Sequence, residues 1–114
     1  IMGVNKVLKL MKSKAKVIQV QPEESNATHG IQGINDGEDF LLDKSILDET
    51  IYIKTKDAIA RAKRLAKENG LLVGISAGAN VLAAERWVAE NNPEHPVVTI
   101  LCDRGERYFS CYED

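Results

Sequence analysis

Three short stretches hold the residues whose types and spacing could do chemistry. ESNATHGIQGI begins at Glu24, GISAGAN runs from Gly74 to Asn80, and CDRGERY runs from Cys102 to Tyr108. GISAGAN has the form of a strand-to-helix turn, whose free N–H groups can take an anion or a polar ligand. It equally has the form of a plain structural turn, with Ser76 capping the helix and Gly74 and Gly78 permitting close strand–helix packing. No Lys-Ser/Thr pair follows its second glycine, and its spacing departs from G-x-G-x-x-G, so the nucleotide-binding readings fail. In CDRGERY, Asp103 has Arg104 and Arg107 near enough in sequence to pair with it at the surface. Cys102, Asp103 and Cys111 offer neither C-x-x-C nor histidine spacing, so no metal site is expected. His29, in a glycine-rich loop, and His95, between two prolines, read as solvated side chains.

The elements that must position these stretches follow from periodicity. Val4, Val7, Leu8 and Met11 share one face of a helix, and no Ser, Thr, Asp or Asn precedes that face to cap it. The opening IMGVNKVLK, without a leading methionine, therefore reads as a helix continuing from something upstream. AKVIQVQP (15–22) is a β-branched run ended by proline, and ETIYIKT (49–55) alternates as a short strand. Between them lies a long polar, glycine-containing loop, of a length that is usually functional or mobile. KDAIARAKRLAKENG is the clearest helix: Ala58, Ala62, Leu65 and Ala66 share a face, Thr55 or Asp57 would cap its start, and Gly70 stops it. LLVGIS and PVVTILC read as strands buried on both faces, with the helix AGANVLAAERWVAENN between them. Such an order predicts an α/β fold: a three-layer, mostly parallel twisted sheet with helices on both faces. Ligands of open parallel sheets sit beyond the carboxyl ends of the strands, where the three stretches fall.

Bulk properties set limits on this reading. The chain has 114 residues, a formal net charge of −2 and 28% charged residues. That balance gives no reason to expect a nucleic-acid or acidic-membrane partner. No apolar run approaches the roughly 20 residues of a membrane span. Two cysteines make no disulfide framework, so free thiols and a cytoplasmic location are expected.

Taken in order and at this spacing, IQGI, LLVGISAGAN and VVTILCDRGERYFS resemble the C-terminal part of cysteine synthase. This is the O-acetylserine sulfhydrylase family of fold type II pyridoxal-phosphate enzymes, and GVNKVLK and VIQVQPEES extend the likeness to the start of the chain. Cys102 stands where the A-type enzymes usually carry proline, so the resemblance is nearer the B type. It implies that residues 1–114 are the C-terminal part of the large cofactor-binding domain. The phosphate loop would end just before Ile1, and the Schiff-base lysine would lie further upstream, so no catalytic residue is expected in this chain.

By the same resemblance Ser76 hydrogen-bonds the pyridine nitrogen of pyridoxal 5'-phosphate, and Gln32 and Gly33 face the substrate. Asp103 would order the ring-nitrogen end through its neighbours, while Gly74 and Gly78 pack the turn beneath the ring. The implied reaction is β-replacement of O-acetylserine or O-phosphoserine by sulfide to give cysteine, with this chain alone inactive. The implied partners are the amino-acid substrate, sulfide, a second copy in a homodimer, and serine acetyltransferase. The alternatives are another fold type II enzyme (cystathionine β-synthase, threonine synthase, serine dehydratase) and a non-catalytic truncated domain.

Overall fold

The computed structural model describes residues 1–24 and 43–112. Helix α1 (Met2–Leu10) leads into strand β1 (Ile18–Pro22). A single 3-10 turn (Lys44–Ile46) then precedes strand β2 (Glu49–Ile53). Helices α2 (Thr55–Asn69) and α3 (Ile75–Asn91) follow. Near the C-terminus a 3-10 turn (Gly105–Tyr108) runs into the one-turn helix α4 (Phe109–Tyr112). This is the expected α/β class. Strands β1 and β2 pair in parallel, in a register from Ile18 opposite Glu49 to Pro22 opposite Ile53. The ladder is extended by one bond, from the Glu23 N–H to the Ile53 carbonyl.

Packing centres on the α2–α3 pair. Ile53, Ala58, Ile75, Ala79 and Ala83 form one buried cluster, and Leu65, Val73 and Ala77 form a second. Alanine dominates because the two helices approach closely. At Gly78 a methyl group would overlap the Ala58 carbonyl oxygen and lie 2.9 Å from the Ala62 nitrogen. Arg61 bridges the pair from the side, its Nε 3.0 Å and its Nη2 2.6 Å from the Glu85 carboxylate. That bond holds the Glu85 carboxyl below its usual value and the Arg61 guanidinium above its own. The Trp87 indole N–H donates to Glu49 at 3.0 Å, tying the far half of α3 to β2.

Several expectations are corrected. The helix expected at the start is present, and of its shared face Val4, Val7 and Met11 are each more than half exposed and Leu8 is half-buried, whereas Asn5 beside it is buried. Its side-chain amide donates to the Ile46 carbonyl at 2.7 Å, which explains why a polar residue is the one enclosed. Neither Thr55 nor Asp57 caps α2. The cap position is Lys54, and Thr55 is the first helical residue and buried. Gly70 does end that helix, in a left-handed conformation at φ 69°. LLVGIS and PVVTILC do not form strand ladders among the described residues. Ile75 and Ser76 already belong to α3, and a single antiparallel bridge joins Val73 to Arg104. A strand is defined by its neighbours, and among the described residues these two segments have none on which to build a ladder.

Candidate functional site

Two of the three stretches come together at the start of α3. The cap position is Gly74, in extended conformation at φ −72° and ψ 169°, and it makes no side-chain capping bond. Ser76 is therefore not the cap but the second residue of the helix. The first bonds of the helix run from the Ala77 and Gly78 N–H groups to the Gly74 carbonyl. Among the described residues the N–H groups of Ile75 and Ser76 have no backbone partners, as at any helix start. Ser76 is half-buried, and its hydroxyl engages no other described residue.

CDRGERY clasps this turn. The Gly74 N–H donates to the Asp103 carbonyl at 3.2 Å, and the Gly105 N–H to the Leu72 carbonyl at 3.1 Å. Asp103 itself adopts φ 54°, a left-handed conformation that aspartate tolerates better than most residues. The Tyr108 hydroxyl donates to Asp103 Oδ2 at 2.7 Å, and Arg107 sits 3.8 Å from the other carboxylate oxygen. Arg104 turns instead to Glu106, at 3.6 Å. The Tyr112 hydroxyl donates to the Val73 carbonyl. The Tyr108 ring closes over Gly74, where a methyl group would come within 2.8 Å of the ring and 3.1 Å of Asp103 Cβ. Gly74 is thus required by close approach rather than by a special backbone angle. Its hydrogen bond to Asp103, and secondarily burial, raises the Tyr108 hydroxyl above the ordinary value of 10.0.

Ser76, Gly74, Gly78 and Asp103 are thereby brought into one locality, with Gly78 facing α2 rather than the turn. Gln32, Gly33 and His29 lie outside the described residues. His95 is exposed, and Cys102 and Cys111 are free thiols. The sequence reading missed two contributors. Tyr108 was visible only as the end of CDRGERY, and its pairing with Asp103 needs the 3-10 turn that folds it back. Asn80 is four residues after Ser76, hence on the same helical face. Its side-chain amide donates to the Ile100 carbonyl at 2.9 Å, fixing the 97–102 segment to α3. A surface cavity of roughly 480 Å³ lies elsewhere, against α1, lined by Met2, Asn5, Lys6, Lys9, Leu10 and Ile46. It contains none of these residues.

With this geometry in hand, comparison with known proteins defines the class. Residues 1–103 match the family described as pyridoxal-phosphate dependent enzyme, and the chain belongs to that family. It is 42% identical to Cysteine synthase B of Campylobacter jejuni over 120 aligned positions, covering 96% of this chain and 39% of that protein. Cysteine synthase B of Escherichia coli is 34% identical, again over 96% of this chain but 36% of its own length. Among solved structures, O-acetyl serine sulfhydrylase isoform 3 from Entamoeba histolytica superposes with a TM-score of 0.81 at 37% identity. That superposition covers 96% of this chain and 35% of the other. The chain thus spans under two fifths of the length of these relatives. The B-type resemblance carried by Cys102 agrees with both relatives named Cysteine synthase B.

The residues present fit one end of the family's cofactor. A serine hydroxyl without a partner among the described residues, in the first turn of a helix, suits a pyridine nitrogen. A covalent attachment point is not found with it: residues 71–80 and 102–112 contain no lysine.

Proposed function

We propose that this chain is the C-terminal part of the large domain of a B-type cysteine synthase, and that Ser76 meets the pyridine nitrogen of pyridoxal 5'-phosphate. When bound, that cofactor would supply an electron sink that makes the substrate's α-proton acidic, the chemistry by which an α-proton and a β-leaving group are lost and sulfide and a proton are then added. The observation that carries the reading is the Ser76 hydroxyl: half-buried, partnerless among the described residues, and set on a turn that Asp103 and Tyr108 hold in place. Its chemistry suits the role. A hydroxyl can donate to an unprotonated nitrogen. The positive end of the α3 dipole, with the free N–H groups of Ile75 and Ser76, disfavours a pyridinium there. Asp103 orders this end at one remove, through Gly74 and Tyr108. Gln32 and Gly33 take the substrate side, where glycine lets backbone approach the amino acid.

The substrates under this reading are O-acetylserine or O-phosphoserine and sulfide, and the product is cysteine. The proposal extends to the homodimer and to serine acetyltransferase as a partner of the full-length protein. Free thiols at Cys102 and Cys111 support a reducing cytoplasm, and no helix among the described residues is long and apolar enough to cross a membrane.

A chimera tests this. The chain replaces the portion of the Campylobacter jejuni protein that it matches, and cysteine formation is followed with each serine ester. Cysteine should form, and Ser76→Asp should shift the cofactor absorption and slow turnover. Unchanged absorption and turnover in Ser76→Asp would remove Ser76 from the ring nitrogen. A chimera that binds the cofactor yet makes no cysteine would sink the reaction assignment.

A further inference from the structure

The near-neutral total charge hides an uneven distribution. Residues 1–22 hold five lysines, Lys6, Lys9, Lys12, Lys14 and Lys16, and no acidic residue. The other ten basic residues and all seventeen acidic ones lie beyond, so a segment of +5 adjoins a remainder of −7. All five lysines are exposed. Among the described residues none of them makes an ion pair, whereas each of the five arginines does, with Glu85, Glu68, Asp57, Glu106 or Asp103. Two carboxylates border the cluster, Asp48 beside Val17 and Asp43 near Lys9, and both are engaged by backbone. Asp48 accepts from the Val17 N–H at 2.7 Å, and Asp43 from the Ser45 N–H at 3.0 Å. Lys9, in the last turn of α1, complements the helix dipole, but Lys12, Lys14 and Lys16 lie past the helix end, where that explanation stops. An unpaired ammonium is expensive to bury, so this surface stays in water in a longer chain as it does here.

We infer that the cluster from Lys6 to Lys16 is a docking surface for an anionic lipid bilayer, bound peripherally. Uncompensated lysines in this number, on and just after an amphipathic helix, are the pattern that a negatively charged headgroup layer attracts. The chain-wide balance, which gave no reason to expect such a partner, averages the cluster away. Two observations choose a bilayer over a nucleic acid. Leu10 and Met11 stand between Lys9 and Lys12 and are 74% and 73% exposed. Apolar side chains are thus interleaved with the charges, and can enter the headgroup–acyl boundary while the ammonium groups meet phosphates. Residues 1–22 also contain no arginine and no aromatic residue, the types that grip phosphates bidentately or stack on bases. No helix among the described residues is long and apolar enough to cross a membrane, so the contact is made at the surface. The inference rests on the placement of charge and is independent of the reaction proposed above.

Co-sedimentation of the 114-residue chain with vesicles tests it. Vesicles of phosphatidylcholine mixed with phosphatidylserine should bind the chain, those of phosphatidylcholine alone should not, and binding should fall as salt is raised. A lysine near such a surface contributes about a fivefold factor in affinity, so Lys14→Gln with Lys16→Gln should weaken binding roughly twentyfold. Both side chains are exposed, so the circular dichroism of this variant should match the parent. Lys56→Gln with Lys67→Gln removes the same charge from exposed positions of α2 and should leave binding nearly unchanged. Leu10→Ser with Met11→Ser should weaken vesicle binding without altering any attraction to duplex DNA. No binding to the anionic vesicles at low salt overturns the inference. So does an equal loss in the two lysine pairs, which would make net charge responsible rather than this cluster. Tighter binding to duplex DNA than to the vesicles, untouched by the changes at Leu10 and Met11, would assign the cluster to a nucleic acid instead.

Discussion

Gly78→Ala separates two opposing effects cleanly. In a helix interior, alanine in place of glycine is favourable by about 1 kcal/mol. Here the added methyl group would overlap the Ala58 carbonyl oxygen and stand 2.9 Å from the Ala62 nitrogen and 3.0 Å from Ala62 Cβ. The first two are backbone atoms of α2 and cannot swing aside as a side-chain tip can. The two helices must therefore separate, loosening Ala58, Ala62, Ala77 and Ala79, each at most 1% exposed. Overpacking of this kind typically costs about 1–3 kcal/mol, and a backbone clash belongs at or above the upper end. Subtracting the propensity gain leaves a loss of about 2 kcal/mol, or roughly 10 °C in Tm for a domain near 100 residues. Circular dichroism during urea and thermal unfolding of the chain measures it. Ala60→Gly, on an exposed position of α2, is the control and should cost about 1 kcal/mol through propensity alone. A Gly78→Ala protein as stable as the parent, or more so, would refute the close-approach reasoning. Because Ser76 lies two residues earlier, that separation would also displace the proposed ring-nitrogen contact.

Two further outcomes are expected. Tyr108 is held protonated by its bond to Asp103, so its stabilising share is present below pH 10.0 and is lost as pH rises through the raised folded value. Ultraviolet titration should show its phenol ionising late in the parent. In Gly74→Ala it should return towards the ordinary value, since the new methyl group would press on the ring and on Asp103. Tyr108→Phe identifies which of the three tyrosines is observed, and a late Tyr108 titration in Gly74→Ala would break the link between the glycine and the clasp. Glu85 has the opposite sign: its carboxyl is lowered by the Arg61 bond, so its contribution is present above about pH 4.5 and lost as pH falls through the folded value. Glu85→Gln should therefore lose on the order of 1 kcal/mol near neutrality, screened because the carboxylate is half exposed, and the difference should vanish in acid. A pH-independent difference would show that the pair acts by packing alone.

What the sequence made legible, and what it did not, divides along one physical line. Features decided within a single element were readable: the apolar face of α2 and its glycine stop, the β-branched run of β1, and the alternation of β2. Features decided by what an element meets were not. The 3.6-residue period of α1 showed that Val4, Val7, Leu8 and Met11 share a face. It carried no information on whether that face is covered, and the residue enclosed is Asn5, at the margin of that face beside Leu8, bonded to the Ile46 carbonyl. The same holds for PVVTILC, whose composition specifies burial on both faces while its backbone finds no ladder among the described residues. The site follows this division too. GISAGAN announced a turn and a serine, but a hydroxyl becomes available for a ligand only if it is not spent on capping. Gly74 takes the cap position and leaves Ser76 free, and it can do so because Asp103 and Tyr108 fold back onto it from about thirty residues further along. Serine at the second helical position, rather than at the cap, is therefore what leaves a hydroxyl open to the ligand proposed for this turn.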